Sequence, residues 1–181
     1  MKLLFEQQTS PDVTFNDMSV IVEQATAKDP CTIKISGLYI ACNVKNANGR
    51  IYDFDYFDKV VIPEYKATWI DQHRAYAELN HAQCHEINPK DACEMVTSLK
   101  ADGTNYVGES TVLNGDTRFG IPGTPNGDIL AAILIKGGKI GKSTRGAVDN
   151  PKNPLINKDN EYNLISIDTV LNPSRTWLLC Q

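Results

Sequence analysis

Gly137-Gly138-Lys139-Ile140-Gly141-Lys142-Ser143-Thr144-Arg145-Gly146 follows an apolar run from Ile129 to Ile135. The run predicts a helix over about residues 128–136. The glycine pair supplies its cap, because glycine adopts the left-handed conformation that ends a helix without steric cost. The residues after the cap, Lys139 to Val148, predict a strand carrying Ser143. Well upstream stands Glu78-Leu79-Asn80-His81, at the end of a strand-like run over residues 74–81. A serine on a strand and a distant histidine form the smallest pattern for a hydroxyl nucleophile and its base. The competing reading makes Ser143 an ordinary strand hydroxyl and His81 a turn residue.

Outward from this stretch, strands outnumber helices. Thr32 to Ile35 alternates polar and apolar, and Leu38 to Val44 continues, so the pattern predicts two strands or one bent at Gly37. Asn46-Ala47-Asn48-Gly49-Arg50 predicts a turn. An amphipathic stretch from Phe54 to Tyr65 predicts a helix that Pro63 cuts short. Ala92 to Leu99 reads as strand or short helix. Lys100 to Asn105 reads as a turn, and Tyr106 to Leu113 as a strand bulged at Gly108. Residues 114–127 form a long Gly-, Pro-, Asn- and Asp-rich loop. Asn163 to Leu171 reads as an apolar strand, closed by Pro173-Ser174. Within residues 1–30, Val13 to Val22 alternates loosely and Ser19 to Ala27 reads as a short helix. The sum is an α+β domain built on a mostly antiparallel sheet or barrel.

The totals narrow the function. A chain of 181 residues suits one domain, here taken as 1–181. Hydrophobic content of 41% and charged content of 22% are ordinary for a globular protein. A net charge of −4 leaves no global basic footprint for nucleic acid. The cysteines, Cys31, Cys42, Cys84, Cys93 and Cys180, are odd in number and irregular in spacing, which reads as reduced thiols. No apolar run suits a signal peptide or a membrane span.

Two other site readings deserve weighing. Gly137 to Ser143 imitates a phosphate-binding loop, but only three residues separate Gly137 from Gly141, where that motif needs four. It also expects a helix after the lysine, and here a strand follows. His81, Cys84, His85 and Cys93 have ligand chemistry for zinc, yet Asn80 and Pro89 bracket the segment and oppose a helix there. The expectation is therefore no metal and no cofactor.

Four motifs occur in order: Asn46-Ala47-Asn48-Gly49-Arg50-Ile51-Tyr52, Ala77-Glu78-Leu79-Asn80-His81, Ile140 to Gly146, and Ile167-Asp168-Thr169-Val170-Leu171-Asn172-Pro173-Ser174. Together they resemble the prohead (capsid maturation) serine proteases of large tailed bacteriophages, over roughly residues 39–175. Residues 1–30 are not covered. The family's Ser-Ser-Arg-Gly is here Ser143-Thr144-Arg145-Gly146, and the proline that often follows its histidine is here Ala82.

The resemblance implies a fold related to herpesvirus assemblin, a mostly antiparallel barrel surrounded by helices. It implies Ser143 as nucleophile and His81 as base. Asp168, a carboxylate in an otherwise apolar strand, is the expected third member, because burying it unpaired is costly. His73, His85, Glu78 and Ser166 stay open as alternatives. The amides near Arg145 and Gly146, with the Arg145 guanidinium, are the expected oxyanion donors.

The implied activity is cleavage of scaffold or core proteins and the major capsid protein after Glu, with self-processing. The place is the assembling prohead in the host cytoplasm, with retention in the virion a further expectation. Ile62-Pro63-Glu64 fits the cleavage rule. The end at Leu179-Cys180-Gln181 suggests a processing or truncation point. Homo-oligomers through docking of the C-terminal tail are a further expectation. Nucleic acid and membrane are not expected partners. The rival reading is a non-catalytic scaffold or capsid-associated protein sharing the fold.

Overall fold

The computed structural model describes residues 1–7, 18–46, 48–81 and 84–171, with backbone alone for 2–7. Its strands are β1 (Lys2–Gln7), β2 (Ser19–Glu23), β3 (Thr32–Ala41), β4 (Ile51–Tyr52), β5 (Tyr76–Glu78), β6 (Ala92–Asp102), β7 (Asn105–Val112), β8 (Gly141–Val148), β9 (Leu155–Ile156) and β10 (Tyr162–Val170). They form a three-stranded sheet ordered β1-β8-β10, a five-stranded sheet ordered β2-β3-β7-β6-β5 and a two-stranded β4-β9 ribbon. The two larger sheets are antiparallel throughout. A parallel bridge from Leu79 to Thr169 joins the edge of one to the edge of the other.

The α+β class stands, with sheet dominant and helices few. The expected barrel does not close: among the described residues the strands divide into separate sheets. Their single bridge beside Thr169 leaves most of that seam without ladder hydrogen bonds.

Two apolar clusters hold the layers together. Tyr39, Tyr52, Phe57, Tyr65, Val148 and Ile167 lie in the first, packed against the helical stretch 54–70. Ile33, Ile35, Val112, Leu130, Leu134 and Ile140 form the second, under the helix Pro125–Ile135. Burying one such side chain stabilises by about 1.5–3 kcal/mol.

Several local expectations change. Ser19 to Ala27 is no helix: Ser19–Glu23 pairs with β3 as an edge strand. Pro63 does not stop its helix, which runs over residues 54–70. Phe57–Val61 and Lys66–Ile70 use the wider π-type turn, so a residue lacking an N–H is accommodated where the bonding pattern switches. Gly108 makes no bulge. The register shifts fall in its neighbours, at Leu38/Ile40 and Val96/Ser98. Gly108 is needed because a Cβ there would sit 2.6 Å from the Tyr39 ring. Thr32–Ala41 is one strand, and Ala92–Asp102 is a strand rather than a helix. The glycine cap forms as expected: Gly137 has φ 78°, and its N–H donates to the Leu134 carbonyl at 3.0 Å. Pro173-Ser174, Ala82 and the chain end at 179–181 lie outside the described residues.

Candidate active site

β8 is unusual in its chemistry. Lys142, Ser143, Thr144 and Arg145 are all fully buried or nearly so, on both faces of a central strand. Alternation along the strand sends Ser143 and Arg145 to one face and Lys142 and Thr144 to the other. Each face therefore needs its own polar partners.

On the first face the pairing of β8 with β10 sets Ser143 directly opposite Asp168. Opposed residues on antiparallel strands carry their side chains on the same face, about 5 Å apart at Cβ. The third side chain arrives from β5. Asn80 donates its N–H to the Thr169 carbonyl at 2.8 Å, which ties the end of that segment to β10. Asn80 has φ 64°, a left-handed conformation that asparagine tolerates better than most residues. This turn brings His81 over the Ser143–Asp168 pair.

The result is a continuous hydrogen-bonded chain. His81 Nε2 lies 2.6 Å from Ser143 Oγ, and His81 Nδ1 lies 2.9 Å from Asp168 Oδ2. The Glu78 backbone N–H donates to Asp168 Oδ1 at 3.0 Å. An ionised carboxylate only accepts, so Nδ1 carries the proton and Nε2 is left to accept from the serine hydroxyl. Ser143 and Asp168 are fully buried, while the His81 side chain is 15% exposed.

Arg145 takes a place that the sequence reading missed. Its Nε donates to Ser166 Oγ at 3.0 Å and lies 3.1 Å from Asp168 Oδ2. Its Nη2 pairs with Glu78 Oε2 at 2.8 Å, and its Nη1 donates to the Cys84 carbonyl at 3.2 Å. The guanidinium is thus engaged by two buried carboxylates rather than presented as an oxyanion donor. A buried guanidinium requires such partners. The Glu78 and Ser166 side chains join the network through Arg145, not through His81. Gly146 is paired with both β1 and β10, and a Cβ there would fall 2.6 Å from the Asn163 carbonyl oxygen. His73 lies in the turn after the first helix, with φ 53°, and His85 lines a separate groove. The clue to Arg145 was its placement two residues after Ser143, which puts it on the same face.

On the opposite face Lys142 Nζ bonds Glu94 Oε1 and, at 2.9 Å, Thr169 Oγ1. It also sits 4.7 Å from the Tyr39 ring centroid. This lysine is committed inside the protein, and a strand rather than a helix surrounds it, so the phosphate-loop imitation has no structural counterpart. Thr144 Oγ1 and Tyr52 Oη are 2.7 Å apart, linking the first motif to the third. Asn46 Oδ1 accepts from the N–H groups of Asn48 and Arg50, which holds that motif's turn. Cys93, one of the four residues weighed for zinc, lies in the second apolar cluster, where burial pushes its thiol pKa up.

A family model described as prohead core protein serine protease matches residues 14–178. The chain belongs to that family. The match begins at residue 14, upstream of the motifs that suggested it. A relative in the family, the prohead core protein protease of Enterobacteria phage T4, is 27% identical over 143 residues. That alignment covers 77% of this chain and 64% of the phage T4 protein, so the chain spans about two thirds of that relative's length. Among solved structures, the bacteriophage T4 capsid assembly protease matches with a TM-score of 0.74 at 22% identity. The match covers 95% of this chain and 98% of that one, and it extends the family relation to the fold.

Proposed function

We propose that this chain is a serine endopeptidase of phage prohead maturation, a single domain with an assemblin-like arrangement of sheets. It cuts core or scaffold proteins and the major capsid protein after Glu, inside the assembling prohead. The observation that carries the reading is the unbroken chain Ser143–His81–Asp168.

A serine hydroxyl is a weak nucleophile near neutral pH, so it needs a base within hydrogen-bond reach. His81 Nε2 meets that condition at 2.6 Å. As Oγ attacks the peptide carbonyl, its proton passes to Nε2. The imidazolium then donates that proton to the leaving amine, and water reverses the sequence to free the acyl group. Asp168 holds the ring tautomer and balances the positive charge. Arg145 and Glu78 position Asp168. Ser143 is fully buried in this state, so attack requires the site to open.

That burial is also the one observation favouring a second reading, a non-catalytic capsid-associated protein. Incubation of the chain and its Ser143→Ala variant with the phage scaffold protein separates the two. The protease reading expects new termini after Glu that vanish in the variant. The same cuts in both samples would reject Ser143 as nucleophile, and none in either would favour the second reading.

A further inference from the structure

The candidate catalytic residues come from two sheets. Ser143 and Asp168 stand on β8 and β10, whereas His81 is carried by the segment that continues β5. Among the described residues the two larger sheets share one ladder bridge, Leu79 to Thr169. We propose that the buried side chains of Glu94, Lys142 and Thr169, behind Ser143, lock the two sheets together and so set the position of His81 against Ser143 and Asp168. They are positioning residues. All three are 2% exposed or less, so none meets substrate. This rests on the protease reading and adds to it the part that holds the site in register.

Three observations carry the proposal. The first is the bonding. Lys142 Nζ donates to Glu94 Oε1 and, at 2.9 Å, to Thr169 Oγ1. The Thr169 hydroxyl donates to the same Glu94 oxygen at 2.7 Å. The three groups close a ring in which every pair is bonded, with Glu94 from one sheet and Lys142 and Thr169 from the other. Thr169 both accepts and donates through one hydroxyl, which a valine of the same shape cannot do.

The second is register. Lys142 pairs with Thr169 across β8 and β10, immediately beside the Ser143–Asp168 pair. Successive side chains point to opposite faces, so the two pairs stand back to back. Glu94 lies on β6 opposite Ala77 of β5. The residue after Ala77 is Glu78, whose N–H donates to Asp168 Oδ1 at 3.0 Å. The Thr169 carbonyl accepts from the N–H of Asn80, the residue before His81, at 2.8 Å. Lys142 is thus the chain neighbour of Ser143, and Thr169 that of Asp168, while the Thr169 backbone holds the neighbour of His81.

The third is cost. A buried ion pair is weak evidence for stability, because apolar residues of similar volume often replace it without loss. Apolar contact is non-directional, so it would hold the sheets together without fixing where one stands against the other. Hydrogen bonds between charged groups have a narrow geometry and supply that alignment.

The test uses the full chain with a peptide spanning a scaffold cut site. It compares wild type with Lys142→Met plus Glu94→Leu, with Thr169→Val, with Thr169→Ser, and with Leu134→Ala, a truncation in the second apolar cluster. Long-range proton–nitrogen NMR of the histidine rings reports which nitrogen of His81 carries the proton, whether or not the chain turns over. The double variant lowers kcat about a hundredfold with KM within about twofold of wild type, the loss that a displacement of about 1 Å produces. Thr169→Val lowers kcat about tenfold, and Thr169→Ser restores it. His81 keeps its proton on Nδ1 in wild type and Thr169→Ser, and becomes a mixture of tautomers in the double variant. Leu134→Ala loses stability but keeps kcat and the wild-type tautomer.

Wild-type kcat and tautomer in the double variant would overturn the proposal and leave the protease reading standing. An equal loss of kcat in Leu134→Ala would overturn it too, since destabilisation alone would then account for the effect. If the wild-type chain does not cleave, the protease reading falls and the spectra still decide. Mixed tautomers in the double variant but not in Leu134→Ala support the hold on His81, and unchanged spectra in the double variant overturn it.

Discussion

Replacing Lys142 with Met should destabilise the protein far more than replacing Lys142 and Glu94 together with apolar residues. Both side chains are fully buried and bonded to each other, and Thr169 Oγ1 bonds both. Removing the lysine alone leaves the Glu94 carboxylate in the interior with one hydroxyl donor at 2.7 Å. Breaking a buried ion pair in this way costs about 3–5 kcal/mol. Removing both charges, as in Lys142→Met with Glu94→Leu, removes the stranded carboxylate as well. What remains is the Thr169 hydroxyl without its partners, about 1 kcal/mol. With a urea m-value of about 2 kcal/mol/M, the single variant should lower the midpoint by about 2 M and the double by about 0.5 M. Equilibrium urea unfolding followed by tryptophan fluorescence reads both. A single-variant shift below about 0.5 M, or a double-variant shift as large as the single, would refute the reasoning.

Asp168→Asn should lower kcat/KM on a scaffold peptide by about 10⁴-fold, because an amide can hold His81 in the wrong tautomer. A loss under tenfold would remove Asp168 from the catalytic role. Gly146→Ala should lower the melting temperature by several degrees, since the added Cβ meets the Tyr162 ring and the Asn163 carbonyl oxygen, and overpacking costs about 1–3 kcal/mol; an unchanged melting temperature would contradict that close approach. Asp116 titrates at about 2, held down by its hydrogen bonds from the Arg118 side chain and then from the Cys31 N–H. Its folded value lies below its unfolded value of about 4, so its contribution is complete above that pH and is lost as pH falls towards 2. Acid unfolding of Asp116→Asn should therefore show a shallower slope than wild type between about pH 4 and 2.

What the sequence revealed was mostly local. The Gly137 cap, the Asn46 turn and the strand at Ser143 follow from short-range chemistry, and each appears where expected. The proximity of Ser143 and Asp168 is different, because it depends on the register of β8 against β10, which no local pattern specifies. β8 is polar on both faces, so hydrophobic alternation gave no guide to its pairing. For the same reason no pattern in the sequence pairs Glu94 with Lys142. Their partners lie on other strands, and only the assembled sheets show why neither is exposed. Pro63 misled because the rule that proline breaks a helix assumes regular bonding, and here the turns widen around it. Arg145 was placed beside the nucleophile in sequence, but Glu78 and Asp168 draw its guanidinium away from an oxyanion role.

The central claim is that Ser143 is the nucleophile and His81 its base. The direct measurement is mass spectrometry of the chain after treatment with a fluorophosphonate, using a preparation shown to cleave scaffold protein. The account predicts one phosphonyl adduct on Ser143, lost in His81→Ala while that variant stays folded. An adduct on a different residue, or an actively cleaving preparation whose Ser143 stays unmodified, would contradict it.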